Sequence, residues 1–127
     1  MRLLLAAPAL FLLAAVPGGA QHRNAAPPAT PAATPSGKAV DCLRLRDIRE
    51  TRVRDDSTID FYMRDGRIFR NTLPNSCPRL GFEEAFGYRT SLTQLCSLDV
   101  ITVLPRGGGV PGVTCGLGPF TPVAAAR

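Results

Sequence analysis

The sequence predicts a mostly β fold: a small disulfide-stapled antiparallel β-barrel or sandwich of about five strands with one short helical turn. Three observations carry that expectation. The chain has 127 residues with 12 Gly and 12 Pro, too short for several domains and too rich in breakers for a helical bundle or coiled coil. Ile59, Phe61 and Met63 alternate with Asp60, Tyr62 and Arg64, the period-2 signature of a strand with one buried face. Four Cys, an even count with no C-x-x-C spacing, read as two structural disulfides in an exported chain.

The first element is a targeting signal. Met1 and Arg2 precede an apolar run over 3–16 that ends in Pro17-Gly18-Gly19-Ala20. That run falls short of the ~20 residues needed to span a bilayer, and the small residues at its end suit a signal peptidase. Residues 1–20 are therefore expected to be a signal peptide cleaved after Ala20. Because the first Cys is Cys42, no lipid anchor follows, and signal cleavage leaves no transmembrane segment. Residues 21–40 are next, 14 of the 20 being Ala, Pro, Thr, Ser or Gly. Such a stretch buries too little apolar surface to offset its ordering entropy, so it reads as a disordered tether. His22 within it is read as incidental. A single β-rich domain over 41–123 and a tail at 124–127 complete the chain.

Within the domain, residues 48–53 are expected to form a strand that turns through Asp55-Asp56-Ser57 into the 59–64 strand. Asp65-Gly66 then marks a hairpin with two possible registers. A two-residue loop would pair Met63 with Ile68 and Phe61 with Arg70. A three-residue loop with Gly66 left-handed in a bulge would pair Phe61 with Phe69 and Asp60 with Arg70. The second register is favoured because aromatic and opposite-charge pairs both stabilise cross-strand contacts. A short strand follows near 86–90. Ser91 with Gln94 then reads as a capping box over one helical turn ending near Cys96. The Val-Ile-Thr-Val-Leu run at 100–104 is apolar on both parities and reads as a central strand, after which 106–109 must be a loop.

Of the three possible cysteine connectivities, Cys42 to Cys115 and Cys77 to Cys96 is expected. First and last strands often lie side by side, and the other two cysteines flank the irregular middle. On the chain-entropy model these loops would contribute roughly 4 and 3 kcal/mol. A four-thiolate zinc site is disfavoured because the gaps of 35, 19 and 19 residues lack the paired close spacings such sites need.

Charge excludes less than the total suggests. The formal +5 and the isoelectric point near 9.6 suit phosphate binding, but residues 41–120 hold 11 Arg and all 10 acids. The excess lies in Arg2, Arg23, Lys38 and Arg127, outside the domain, so a nucleic-acid partner is not expected. The densest basic stretch is Arg44, Arg46, Arg49, Arg52 and Arg54. On an extended chain Arg44, Arg46, Arg52 and Arg54 share one parity. With Tyr62 they make the candidate surface site, facing either cross-strand acids or an anionic ligand.

Catalytic options are few. The only His lies outside the domain, which removes the Ser-His-Asp and Cys-His arrangements. The adjacent pairs Glu83-Glu84 and Asp55-Asp56 do not form a facing hydrolase pair. Gly107-Gly108-Gly109-Val110-Pro111-Gly112 satisfies G-x-G-x-x-G, yet the following Pro and Gly preclude the helix a dinucleotide site needs. No catalytic residue, cofactor or metal is expected.

Thr58-Ile59-x-Phe61, Arg70-Asn71-x-Leu73, Cys77-Pro78, Phe86-x-Tyr88, Leu95-Cys96-x-x-Asp99-x-Ile101 and Cys115-x-Leu117-Gly118-x-Phe120 resemble a proteobacterial family of small exported proteins known as a domain of unknown function. The resemblance spans about 42–123 and implies a bacterial envelope setting; it assigns no activity or ligand. The expected function is a non-enzymatic periplasmic or secreted module that binds an envelope protein or an anionic ligand. The alternative is an inhibitor of a secreted hydrolase, a lysozyme or a protease, that inserts the 106–112 loop into a cleft.

Overall fold

The computed structural model describes residues 32–124. The predicted signal at 1–20, tether residues 21–31 and tail residues 125–127 lie outside the described residues. In chain order the elements are β1 (Cys42–Arg44), a 3-10 turn (Leu45–Asp47), β2 (Ile48–Asp55), β3 (Thr58–Met63), β4 (Ile68–Thr72), α1 (Leu80–Glu83), β5 (Phe86–Tyr88), β6 (Gln94–Cys96), β7 (Val100–Val103), β8 (Thr114–Gly116) and β9 (Phe120–Val123). They make three antiparallel sheets, ordered β2-β3-β4-β9, β5-β7-β8 and β1-β6. No sheet closes on itself among the described residues, so of the two predicted architectures the sandwich fits. The strands outnumber the five expected because β1, β6, β8 and β9 are three or four residues long, too short for a period-2 pattern to show.

The hairpin takes the three-residue-loop register. Phe61 faces Phe69 and Asp60 faces Arg70, the Met63 amide donates to the Arg67 carbonyl at 2.9 Å, and Gly66 has φ 91°. Only glycine takes that conformation without steric cost. β2 pairs along β3 as expected.

Ile59, Phe61 and Met63 enter the core with Leu80, Leu95, Ile101, Val103 and Phe120. Phe61 joins the sheets: its ring lies 5.3 Å from Phe120 on β9 and 6.5 Å from Phe86 on β5, both edge-on. Edge-to-face geometry at such distances suits the ring quadrupoles. The buried Asn71 side chain of β4 donates to the Gly118 carbonyl at 2.6 Å and accepts from its amide at 2.9 Å. A Cβ at Gly118 would lie 2.4 Å from the Thr72 carbonyl oxygen, so no larger residue fits this close approach of chains.

Three expectations are corrected. The disulfides join Cys42 to Cys96 and Cys77 to Cys115, because β1 pairs with β6 and sets Cys42 directly opposite Cys96. Cys115, opposite Ile101 on β8, points into the core at Cys77. The Ser91–Gln94 helical turn does not form. The Leu95 side chain is fully buried when Gln94–Cys96 pairs with β1, and that burial outweighs a local cap; the helical turn lies at α1 instead. Finally, the end of the predicted tether is ordered against β9. The Ser36 amide donates to the Pro122 carbonyl, Val40 and Phe120 exchange two backbone bonds, and the Ala124 amide donates to the Thr34 carbonyl.

Candidate functional site

The predicted arginine face divides into two. The 3-10 turn at Leu45–Asp47 ends β1 before β2 begins, and the two strands belong to different sheets. Shared parity on an extended chain therefore does not place Arg44 and Arg46 beside Arg52 and Arg54. Arg44 and Arg46 instead line an open groove of about 480 Å³ with Leu45, Leu92, Thr93 and Gln94.

Arg52, Arg54 and Tyr62 do meet, on the outer face of the four-stranded sheet. The Arg52 guanidinium stacks 4.9 Å from the Tyr62 ring centre and pairs with Glu50 at 3.0 Å. Arg54 donates to the Tyr62 hydroxyl at 2.7 Å and to Asp60 at 2.9 Å. Asp60, only 2 % exposed, also accepts two bonds from Arg70, at 2.8 and 2.9 Å. Burial pushes the Asp60 carboxyl up, but the hydrogen bonds and positive charges of Arg70 and Arg54 outweigh it and hold the group below the usual carboxylate range. The carboxylate stays charged, and in return the Arg70 guanidinium is held above its ordinary value, first by its bonds to Asp60. Arg70 and Asp60 complete this face beyond the residues the parity argument selects, and the hairpin register sets them opposite each other. This face is a structural ion-pair network whose cations face carboxylates.

A second constellation surrounds the glycine-rich loop between β7 and β8. The Asp56 carboxylate accepts from the Gly81 amide at 2.7 Å, which fixes α1 to the β2–β3 turn. Arg79 and Glu84, on either side of α1, both adopt left-handed backbone, at φ 69° and 51°. Such conformations cost a non-glycine residue about 1 kcal/mol each. Ion pairs hold them: Arg79 pairs with Glu83 at 2.6 Å, and Arg106 with Glu84. The Arg106 amide also donates to the Glu83 carboxylate at 2.9 Å, and its Nε to the Glu83 carbonyl at 2.7 Å. The amide of Arg106, then the Arg79 guanidinium, hold the Glu83 carboxyl below its ordinary value. The loop thus has a clamped base, while Val110 near its tip is 87 % exposed and Gly108 and Gly109 have φ 78° and 116°. The sequence marked the loop and both glutamates separately, with no signal that they meet.

Among the described residues no group of three His, Cys, Asp or Glu side chains could hold a metal ion, and no helix is long and apolar enough to cross a membrane. The chain matches no protein-family model, no curated protein and no solved structure.

Proposed function

We propose that this chain is a non-enzymatic, exported bacterial protein that acts by binding within the periplasm or outside the cell. One observation carries the reading: the carboxylates of the two adjacent acidic pairs are engaged in holding the backbone or, for Glu84, the Arg106 side chain. Asp55 accepts from the Ser57 amide, Asp56 from the Gly81 amide, Glu83 from the Arg106 amide and Glu84 from the Arg106 side chain. A general acid needs a raised carboxyl pKa, whereas Glu83 is lowered. The compartment rests on residues 1–20 as a signal peptide cleaved after Ala20, and on two disulfides that persist in an oxidising setting. The resemblance to small exported proteobacterial proteins agrees with it.

The clamped loop favours a second reading, inhibition of a secreted hydrolase, since a rigid base with an exposed tip reduces the ordering cost of entering a cleft. In-cell crosslinking of the mature protein with mass-spectrometric identification is expected to capture an envelope component. Substrate turnover by the purified protein that is lost in folded Glu83→Gln or Asp56→Asn variants would overturn the non-enzymatic reading. Absence of inhibition of lysozymes and proteases at micromolar protein would remove the second.

A further inference from the structure

The outer face of the three-stranded sheet differs from the rest of the surface. β5, β7 and β8 contain no charged residue, and Gly87, Thr102 and Thr114 stand in one row across the three strands. Small side chains leave this row as the floor of an open groove of about 440 Å³. The Thr102 and Thr114 hydroxyls lie 3.4 Å apart, so one donates to the other and at least one hydrogen remains for a ligand. Val100, Leu104 and Pro111 add apolar wall; Tyr88, opposite the buried Ile101, borders the groove from the other parity of β5.

The remaining lining residue is Arg89. Seven arginines of the described residues are ion-paired; Arg89, like Arg44 and Arg49, makes no side-chain hydrogen bond or ion pair among the described residues, and of these three it alone lines the threonine-floored groove. No acidic side chain lines its groove, so its charge is available to an anion from outside.

We infer that this groove binds a glycan bearing a carboxylate. A sugar ring presents an apolar C–H face to Val100, Leu104 and Pro111 and hydroxyl edges to Thr102 and Thr114. Its carboxylate takes the charge-assisted bonds of Arg89, the stronger kind of hydrogen bond. An alkyl chain would leave the remaining floor hydroxyl hydrogen without an acceptor, and an acidic peptide has no use for a flat, small-residue floor. The inference deepens the proposed binding function and rests on it.

The test is calorimetric titration of the mature protein with the soluble disaccharide N-acetylglucosaminyl-N-acetylmuramic acid, with uncharged chitotetraose and a tetraglutamate peptide as controls. Binding of the carboxylated disaccharide is expected, weakened about tenfold by Arg89→Ala and about fivefold by Thr102→Val, and unchanged in the exposed cation variant Arg49→Ala. Equal binding of chitotetraose, preference for the peptide, or insensitivity to Arg89→Ala overturns the inference. So does an absence of glycan binding; if crosslinking still captures a partner, the binding function stands and this ligand assignment alone fails.

Discussion

The two main sheets solve the same problem in opposite ways. On the outer face of β2, β3 and β4, Arg52, Arg54 and Arg70 neutralise Glu50 and Asp60 around Tyr62. Cross-strand charge pairs there reinforce an already long ladder and guard the β2 edge, whose charges and two register shifts discourage pairing with another chain. On the outer face of β5, β7 and β8 there is no charge on the strands, and Val100 and Leu104 remain exposed. That smaller sheet is held from elsewhere, by the Cys77–Cys115 bond and by the Arg106 clamp. A face whose polar groups satisfy one another contributes to stability, whereas one left unsatisfied is available to a ligand.

The comparison can be broken at the residue both sheets share. Phe61→Ala should destabilise by about 4.5 kcal/mol, and urea unfolding should lose both sheets in one transition; two separated transitions would show independent units. Replacing Cys77 and Cys115 together with Ser opens a loop of separation 38 and should cost about 4 kcal/mol on the chain-entropy model. Amide exchange should then rise first in β7 and β8, ahead of β3 and β4. Asp60→Ala leaves Arg70 and Arg54 without their buried partner and should cost about 3 kcal/mol in urea unfolding; a loss within experimental error would show that the network contributes nothing.

Acid titrates the same network. The folded Asp60 carboxyl lies below its unfolded value, so its stabilisation is complete above the unfolded pKa of about 3.9 and disappears as pH falls through the lower folded pKa. Glu83 has the same sign. The urea midpoint should therefore fall on going from pH 6 to pH 3, and less steeply in Asp60→Asn. The smallest effect belongs to the other face. Leu104→Ser on the open sheet should change stability by less than about 0.5 kcal/mol, and a larger loss would mean that this face is packed against something.

The hairpin was legible because its signals are local. The alternation at Ile59, Phe61 and Met63 shows which face is buried, and Asp65-Gly66 with the Asp60–Arg70 and Phe61–Phe69 pairs selects the register. The helical turn expected near Ser91 fails to form for the converse reason: a capping pattern is local, and burial of Leu95 against β1, about fifty residues earlier in the chain, outweighs it. The candidate site was half legible. Arg52, Arg54 and Tyr62 lie on adjacent strands of one hairpin system, whereas Arg44 ends β1 and Arg46 lies within the three-residue turn that follows, a break that no periodicity announces.

By itself the sequence determined the β class, the central hairpin, the oxidised state expected of its four cysteines and the near-neutral charge of the domain. Each follows from composition or from contacts within about fifteen residues. Only the tertiary structure decided which cysteines pair, that residues 34–40 close the edge at β9, that Glu83 and Arg106 meet, and that Arg89 has no carboxylate partner among the described residues. Those outcomes depend on which distant strands bury their apolar faces together, and burial of Phe61, Leu95 and Phe120 is a property of the whole core that no local pattern encodes.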